Sequence, residues 1–281
     1  YLYYIRYFSM SFINLDKLKI EGKFSNPYPL IIYSNLLEET EIDNLQDILS
    51  DSETIFDKTV MGNRKTILKG KNNFENFLSK SQTGLEINSF FEREEVFKYF
   101  YNNLENLNKN EKNNFNLANT NFKFLKDYTD NAGPATNRNI NFRIKNRLTK
   151  IFSKMFNDSR IFCDFDFSVA SNGYWKEPHH DKEERVLSFL YYINNFESEN
   201  GGNLEIYEYK NKPETYLREP DPENLNMIKK IEPKRGHLIT FLSSPNSLHG
   251  VDVVRSNKQR YFFYGSYTSV QRLNWNSRDS V

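Results

Sequence analysis

Hydrophobic positions change their period about halfway along the chain. Leu37, Ile42, Leu45, Ile48 and Leu49 recur at near-helical spacing behind the acidic pair Glu38-Glu39, which suits the positive end of a helix. Val96, Phe97, Phe100, Leu104 and Leu107 predict a second amphipathic helix, fraying into an Asn-rich stretch from Asn102 to Asn121. A third stripe runs through Ile140, Ile144, Leu148, Ile151, Phe152 and Met155, opposite a basic face of Arg143, Lys145, Arg147, Lys150 and Lys154. Ahead of them, Pro27–Ser34 predicts a strand with Pro at its entry and Ile31-Ile32 inside.

Beyond about residue 160 the pattern turns to short β-rich runs: 162–170, 186–193, 203–209, 237–242 and 261–268. Gly201-Gly202, the segment from Pro233 to Gly236, and Pro245-Asn246 punctuate them as turns. Strands at this spacing predict an antiparallel sandwich or jelly-roll barrel. The stretch 210–230, with three prolines and many charges, reads as an excursion between strands. The fold expected is α+β: a jelly-roll (double-stranded β-helix) core at 159–281, on which an N-terminal region of helices and strand at 1–158 packs as one continuous unit.

Composition narrows the classes. Aromatic residues make up 16% of 281 positions, enough for a packed core despite 27% charged residues. The 38 Lys and Arg balance 37 Asp and Glu, so no polyanionic partner, nucleic acid or membrane surface, is expected. A single cysteine, Cys163, excludes an internal disulfide framework and a Cys-based zinc site, and its Phe neighbours suggest a small buried hydrophobe. No apolar run is long enough for a transmembrane helix. The aromatic start at residues 1–9 does not resemble a signal peptide; a cytoplasmic protein is expected, with residues 1–9 as upstream or non-native sequence.

Candidate chemistry concentrates on four histidines: His179, His180, His237 and His249. Residues i and i+2 of a strand share a face, so His179 and Asp181 can aim at one point while His180 turns away. With His249 after the next turns, two imidazoles and a carboxylate make the facial triad of a non-haem Fe(II) centre. That triad leaves positions open for a bidentate co-substrate and dioxygen. Arg260, Phe262 and Tyr264 share one face of the last strand. A guanidinium aimed into an apolar barrel needs an anion, which the distal carboxylate of a dicarboxylic co-substrate would supply. His237, opening a strand after a turn, reads as a wall or hydrogen-bonding residue.

From about Phe162 to Val270 the chain resembles the catalytic core of the 2-oxoglutarate/Fe(II)-dependent oxygenases, within them the prolyl 4-hydroxylase branch. The matching text is Gly173-Tyr174, His179-x-Asp181, Arg185, Leu187 through Asn194, Gly201-Gly202 through Tyr207, Pro233-x-x-Gly236, Phe241, His249 and Arg260-Tyr261. The resemblance implies iron ligation by His179, Asp181 and His249. It implies that Arg260 and Tyr192 hold the distal carboxylate of 2-oxoglutarate, that Leu204 lines the co-substrate pocket, and that Tyr174 and Arg185 face the substrate. The interval before Arg260 is slightly longer than in the family, which leaves Lys258 as an alternative anchor. The implied activity is dioxygenase hydroxylation of an unactivated C–H bond, with Fe(II), 2-oxoglutarate and O2, release of succinate and CO2, and ascorbate as an optional reductant. A prolyl or other peptidyl residue or a free amino acid is the expected substrate; Ser266, where nucleic-acid demethylases carry a second Arg, speaks against nucleic acid. The alternatives are a non-catalytic jelly-roll binding module and a cupin-like metalloprotein. Oligomeric state is not legible.

Overall fold

The computed structural model describes residues 13–51, 53–57, 63–108, 122–126, 128–129, 148–149, 151 and 159–270. Two antiparallel sheets face each other. In the larger, β1 (Lys19–Phe24), β2 (Leu30–Ser34), β10 (Leu238–Leu242), β7 (Arg185–Tyr192), β12 (Arg260–Ser269), β5 (Ser159–Ala170) and β3 (Arg64–Leu68) lie side by side in that order. A short β4 (Phe122–Phe124) adds to β5 in parallel. In the smaller, the order is β6 (Lys176–His179), β11 (His249–Val251), β8 (Leu204–Tyr209) and β9 (Leu225–Ile231). The result is an α+β fold with a jelly-roll core.

Side-chain alternation on the larger sheet separates a structural face from a working one. Outward, Cys163, Phe165, Phe167, Leu187, Phe189, Tyr191, Phe263 and Tyr267 join one buried cluster with the helices. Inward, Leu190, Tyr192, Phe241 and Phe262 meet Leu204 and Ile206 of the smaller sheet in a second cluster. The inward positions of β5, β7 and β12 also carry polar groups, Asp164, Asp166, Ser168, Ser188 and Arg260, all buried or half-buried. A polar stripe of this kind inside a barrel is costly unless it serves a site.

Among the described residues, four helices cover the outer face: α1 (Glu39–Ser50), α2 (Asn72–Lys80), α3 (Gln82–Phe91) and α4 (Glu94–Glu105). α1 buries Ile42, Leu45 and Leu49, and α4 buries Val96, Phe97, Phe100 and Leu104, as their spacing predicts. α2 and α3 were not apparent from the sequence. Ser81 ends α2 and caps α3, its Oγ accepting from Gly84 N at 2.9 Å. Phe91 of α3 stacks on Phe189 with centroids 4.2 Å apart, and Phe77 of α2 meets Phe167 at 4.6 Å. Each such Phe, fully buried, is worth about 1.5–3 kcal/mol.

Two expectations need correction. The segment 210–230 is an excursion only in its first part: from Leu225 it is β9, paired with β8 through Leu204↔Ile231 and Tyr209↔Leu225. β9 buries only its two end residues, so no alternation betrays it. Its hydrogen bonds, rather than an apolar face, place it at the sheet edge. Secondly, the strand expected to carry both His179 and Asp181 ends at His179. The third predicted helix falls largely outside the described residues, where only Leu148, Thr149 and Ile151 are described, in helical conformation. The expectation for residues 1–9 and most of the Asn-rich stretch also lie outside them.

Candidate metal centre and co-substrate pocket

His179 and His249 stand directly opposite each other across the β6–β11 pair. Their ring centroids are 4.4 Å apart. Each Nδ1 faces a backbone carbonyl two residues upstream: His179 to Glu177 O at 2.9 Å, His249 to Ser247 O at 3.0 Å. A carbonyl can only accept, so Nδ1 carries the proton and each Nε2 presents its lone pair. Burial, and then the neighbouring His249, push the His179 pKa well below its ordinary value, keeping the imidazole in its neutral, ligating form. Asp181 completes the group, and one ligand atom from each of the three lies within 4.8 Å of the others.

Two residues past the end of β6, Asp181 is held by side chains rather than by a sheet ladder. Arg185 Nη1 and the Tyr264 hydroxyl (2.9 Å) donate to Oδ1, and the Ser188 hydroxyl donates to Oδ2. Burial alone would raise its pKa; Arg185, then His249 and His179, outweigh burial and hold it below the usual carboxylate range. His180 does turn away: it is fully buried, its Nε2 is 2.8 Å from the Tyr209 hydroxyl, and burial lowers its pKa to about 3.

These three side chains border a cavity of about 180 Å³. Its apolar walls include Leu190, Leu204, Phe241 and Phe262, and Tyr174 lines it too. Arg260 reaches in from the start of β12, 1% exposed, with its guanidinium carbon 4.4 Å from the Phe262 ring centroid and 5.0 Å from that of Tyr192. Among the described residues its Nε and Nη2 have no hydrogen-bond partner. Among the described residues the Tyr192 hydroxyl, also buried, has no hydrogen-bond partner either. Burial raises the Tyr192 pKa and the Arg260 guanidinium opposes the rise. Gly202 makes room for Arg260: a β-carbon there would sit 3.1 Å from Arg260 Cδ. Buried donors without acceptors are expensive, and a bound carboxylate is what would satisfy them.

Residues 165–267, from β5 through β12, match the family model of the 2OG-Fe(II) oxygenase superfamily. Over that stretch the barrel resembles that superfamily. No sequence among the curated proteins matches the chain. Solved structures similar to it include viral collagen prolyl hydroxylase of Paramecium Bursaria Chlorella virus-1, at 12% identity and TM-score 0.43, covering 85% of this chain and 94% of that one. A prolyl hydroxylase from Trichoplax adhaerens, in complex with a hypoxia inducible factor peptide, has 16% identity and TM-score 0.42, covering 85% and 83%. HygX from Streptomyces hygroscopicus, with nickel and 2-oxoglutarate bound, has 8% identity and TM-score 0.43, covering 89% and 87%. Fe(II) and 2-oxoglutarate are the cofactor and co-substrate of such a 2OG-Fe(II) oxygenase barrel, and the donor set fits both: two imidazoles with a carboxylate for a divalent ion, and an orphaned guanidinium for a carboxylate.

The structure thus brings His179, Asp181, His249, Arg260, Leu204, Tyr174 and Arg185 around one cavity, with Tyr192 beside Arg260. Arg185, expected to face substrate, spends its guanidinium on Asp181 and the Tyr264 hydroxyl. Lys258 is on the surface, its Nζ 3.3 Å from Glu197. His237 is half-buried outside the cavity. Cys163 is buried, and burial pushes its thiol up to about 12, so it is inert. Sequence reasoning missed Ser188 and Tyr264 as supports of Asp181, and Arg64, which lines the cavity while paired with Asp166 at 2.6 Å. Tyr264 alternates with Arg260 on β12, and that period was the one available signal.

Proposed function

We propose that this chain is an Fe(II)- and 2-oxoglutarate-dependent dioxygenase that hydroxylates an unactivated C–H bond of a prolyl or other peptidyl residue, or of a free amino acid. The observation that carries the reading is the convergence of His179, Asp181 and His249 in a buried cavity that also receives the unsatisfied guanidinium of Arg260. The resemblance of the text around Gly173-Tyr174 and 187–194 to prolyl 4-hydroxylases supports the substrate class.

In this reading His179, Asp181 and His249 hold the ion, and Arg260 with Tyr192 fixes the distal carboxylate of 2-oxoglutarate. When bound, Fe(II) with 2-oxoglutarate and O2 supplies the oxidising chemistry and yields succinate and CO2. The chain's own contribution is geometric and electrostatic. Arg185, Ser188 and Tyr264 fix the carboxylate plane of Asp181. Carbonyls of Glu177 and Ser247 fix the two imidazole planes. Leu190, Leu204, Phe241 and Phe262 exclude water from the reacting centre. Tyr174 forms part of the substrate wall. A neighbouring cavity of about 350 Å³, sharing Arg185 and Tyr264 with the first, gives the rest of a substrate room.

The test is succinate formation by protein reconstituted anaerobically with Fe(II) and 2-oxoglutarate and then exposed to air. Iron-dependent succinate that disappears in His179→Ala is the expected result. Metal binding without succinate would replace the reading with a cupin-like metalloprotein, and neither would leave a binding module.

A further inference from the structure

We propose that the substrate of this site carries a carboxylate, and that Arg218 is the residue that binds it. The inference deepens the oxygenase reading and rests on it. Five cationic side chains line the cavity, Arg64, Lys176, Arg185, Arg218 and Arg260, against one carboxylate, Asp181. Three of the five are neutralised by the protein itself: Arg64 by Asp166 at 2.6 Å, Lys176 by Glu219 at 3.2 Å, and Arg185 by Asp181. Arg260 is buried deepest and takes the co-substrate's distal carboxylate. Arg218 is the remainder, and its side chain has no ion pair among the described residues.

Its placement is built rather than incidental. The segment between β8 and β9 folds back over the metal ligands, and the backbone N–H of His180, the residue between His179 and Asp181, donates to Arg218 O at 2.8 Å. The next residue, Glu219, is pinned by Lys176 of β6. Two positions earlier, Tyr216 packs its ring edge-on to His180, with centroids 6.3 Å apart, and against Tyr209 at 5.7 Å. Three anchors on both sides of Arg218 therefore fix its backbone beside the triad, while the guanidinium stays exposed at the cavity mouth. An exposed guanidinium keeps its hydration until a ligand arrives, so holding it there costs little. Its planar fork then pairs with a carboxylate through two parallel hydrogen bonds. A neutral substrate would leave that charge unused, and a cationic one would be repelled by it.

Wild-type protein and Arg218→Ala are loaded with Mn(II) and 2-oxoglutarate, and ligand binding is measured by calorimetry. The probes are L-proline and L-glutamate, their α-amides, and end-blocked proline tripeptides with or without a flanking aspartate. The expected result is that a carboxylate-bearing probe binds at least tenfold more tightly than its amide or Asp-free counterpart. Arg218→Ala erases that preference, and Arg218→Lys keeps part of it. Preference for a free α-carboxylate identifies an amino acid as the source, and preference for the aspartyl tripeptide identifies an acidic peptide. Equal binding of acids and neutral counterparts, no binding by any carboxylate probe, or a preference that survives in Arg218→Ala overturns the proposal. Failure of Mn(II) and 2-oxoglutarate to load is seen before any probe is added, and removes the underlying oxygenase reading together with this one.

Discussion

Neighbouring residues in His179-His180-Asp181 do different work, and single substitutions should separate them. His179→Ala and Asp181→Ala are expected to abolish tight Mn(II) binding, read by water-proton relaxation, because each removes a donor from a three-donor set. His180→Ala should keep Mn(II) binding. It should cost about 2–4 kcal/mol of stability in a denaturant melt, since a fully buried ring and its bond to Tyr209 are lost. Equal loss of metal in all three variants would contradict the geometry. Arg260→Ala is expected to raise the 2-oxoglutarate concentration needed for half-maximal turnover by ten- to hundredfold, and Lys258→Ala to leave it unchanged, because Lys258 points to Glu197 on the surface. At this scale the gathering of His179, Asp181, His249 and Arg260 at one cavity was legible from residue type and order along the chain, although Asp181 lies beyond the end of β6, where a strand's period of two does not reach. The supports of Asp181 were not: Ser188 and Tyr264 come from strands β7 and β12, and nothing local in the sequence ties them to a carboxylate several positions or a whole barrel away.

Elements announced themselves in proportion to how one-sided they are. α1 and α4 bury clear stripes, and β5, β7, β10 and β12 are rich in Phe, Tyr and Ile, so their pattern was readable. α2 and α3 were not, because Ser81 and Gly84 interrupt the run and each helix buries only two or three large apolar residues. β6 and β11 are too short to show a period, and β9 exposes its whole middle. These are elements that exist through pairing, which a single strand's sequence does not record. The turn entering β8 shows the opposite case, a local rule with a long reach. Gly201 has φ 72° and ψ −155°, a backbone region open essentially to glycine alone, and a β-carbon would run into the carbonyl of Val253. Gly201→Ala should therefore cost about 3 kcal/mol or more in thermal unfolding. It should also weaken 2-oxoglutarate binding through the neighbouring Gly202, which packs on Arg260.

For the whole molecule, the outer and inner faces of the larger sheet divide stability from chemistry. One buried ion pair ties the helical layer to the barrel: Lys69, next to β3, reaches Glu92 at the end of α3 and the carbonyl of Cys163 in β5. Removing one charge, as in Glu92→Leu or Lys69→Met, takes the ion-pair partner from the other and should cost about 3–5 kcal/mol, whereas the two substitutions together should recover most of it. A denaturant melt of the three variants checks this, and both single variants should keep their metal affinity. Division of labour explains what sequence could tell about architecture: the jelly roll was visible because its outer face is built from aromatics, while the polar interior resembles ordinary loops when read one residue at a time. The cross-strand position of His179 and His249 has one more consequence. Sliding β11 by a single residue along β6 would send one imidazole to the far side of the sheet. An ion gripped by both rings therefore acts as a gauge of alignment, contributing its binding energy to the closed barrel in one register and to none of the neighbouring ones.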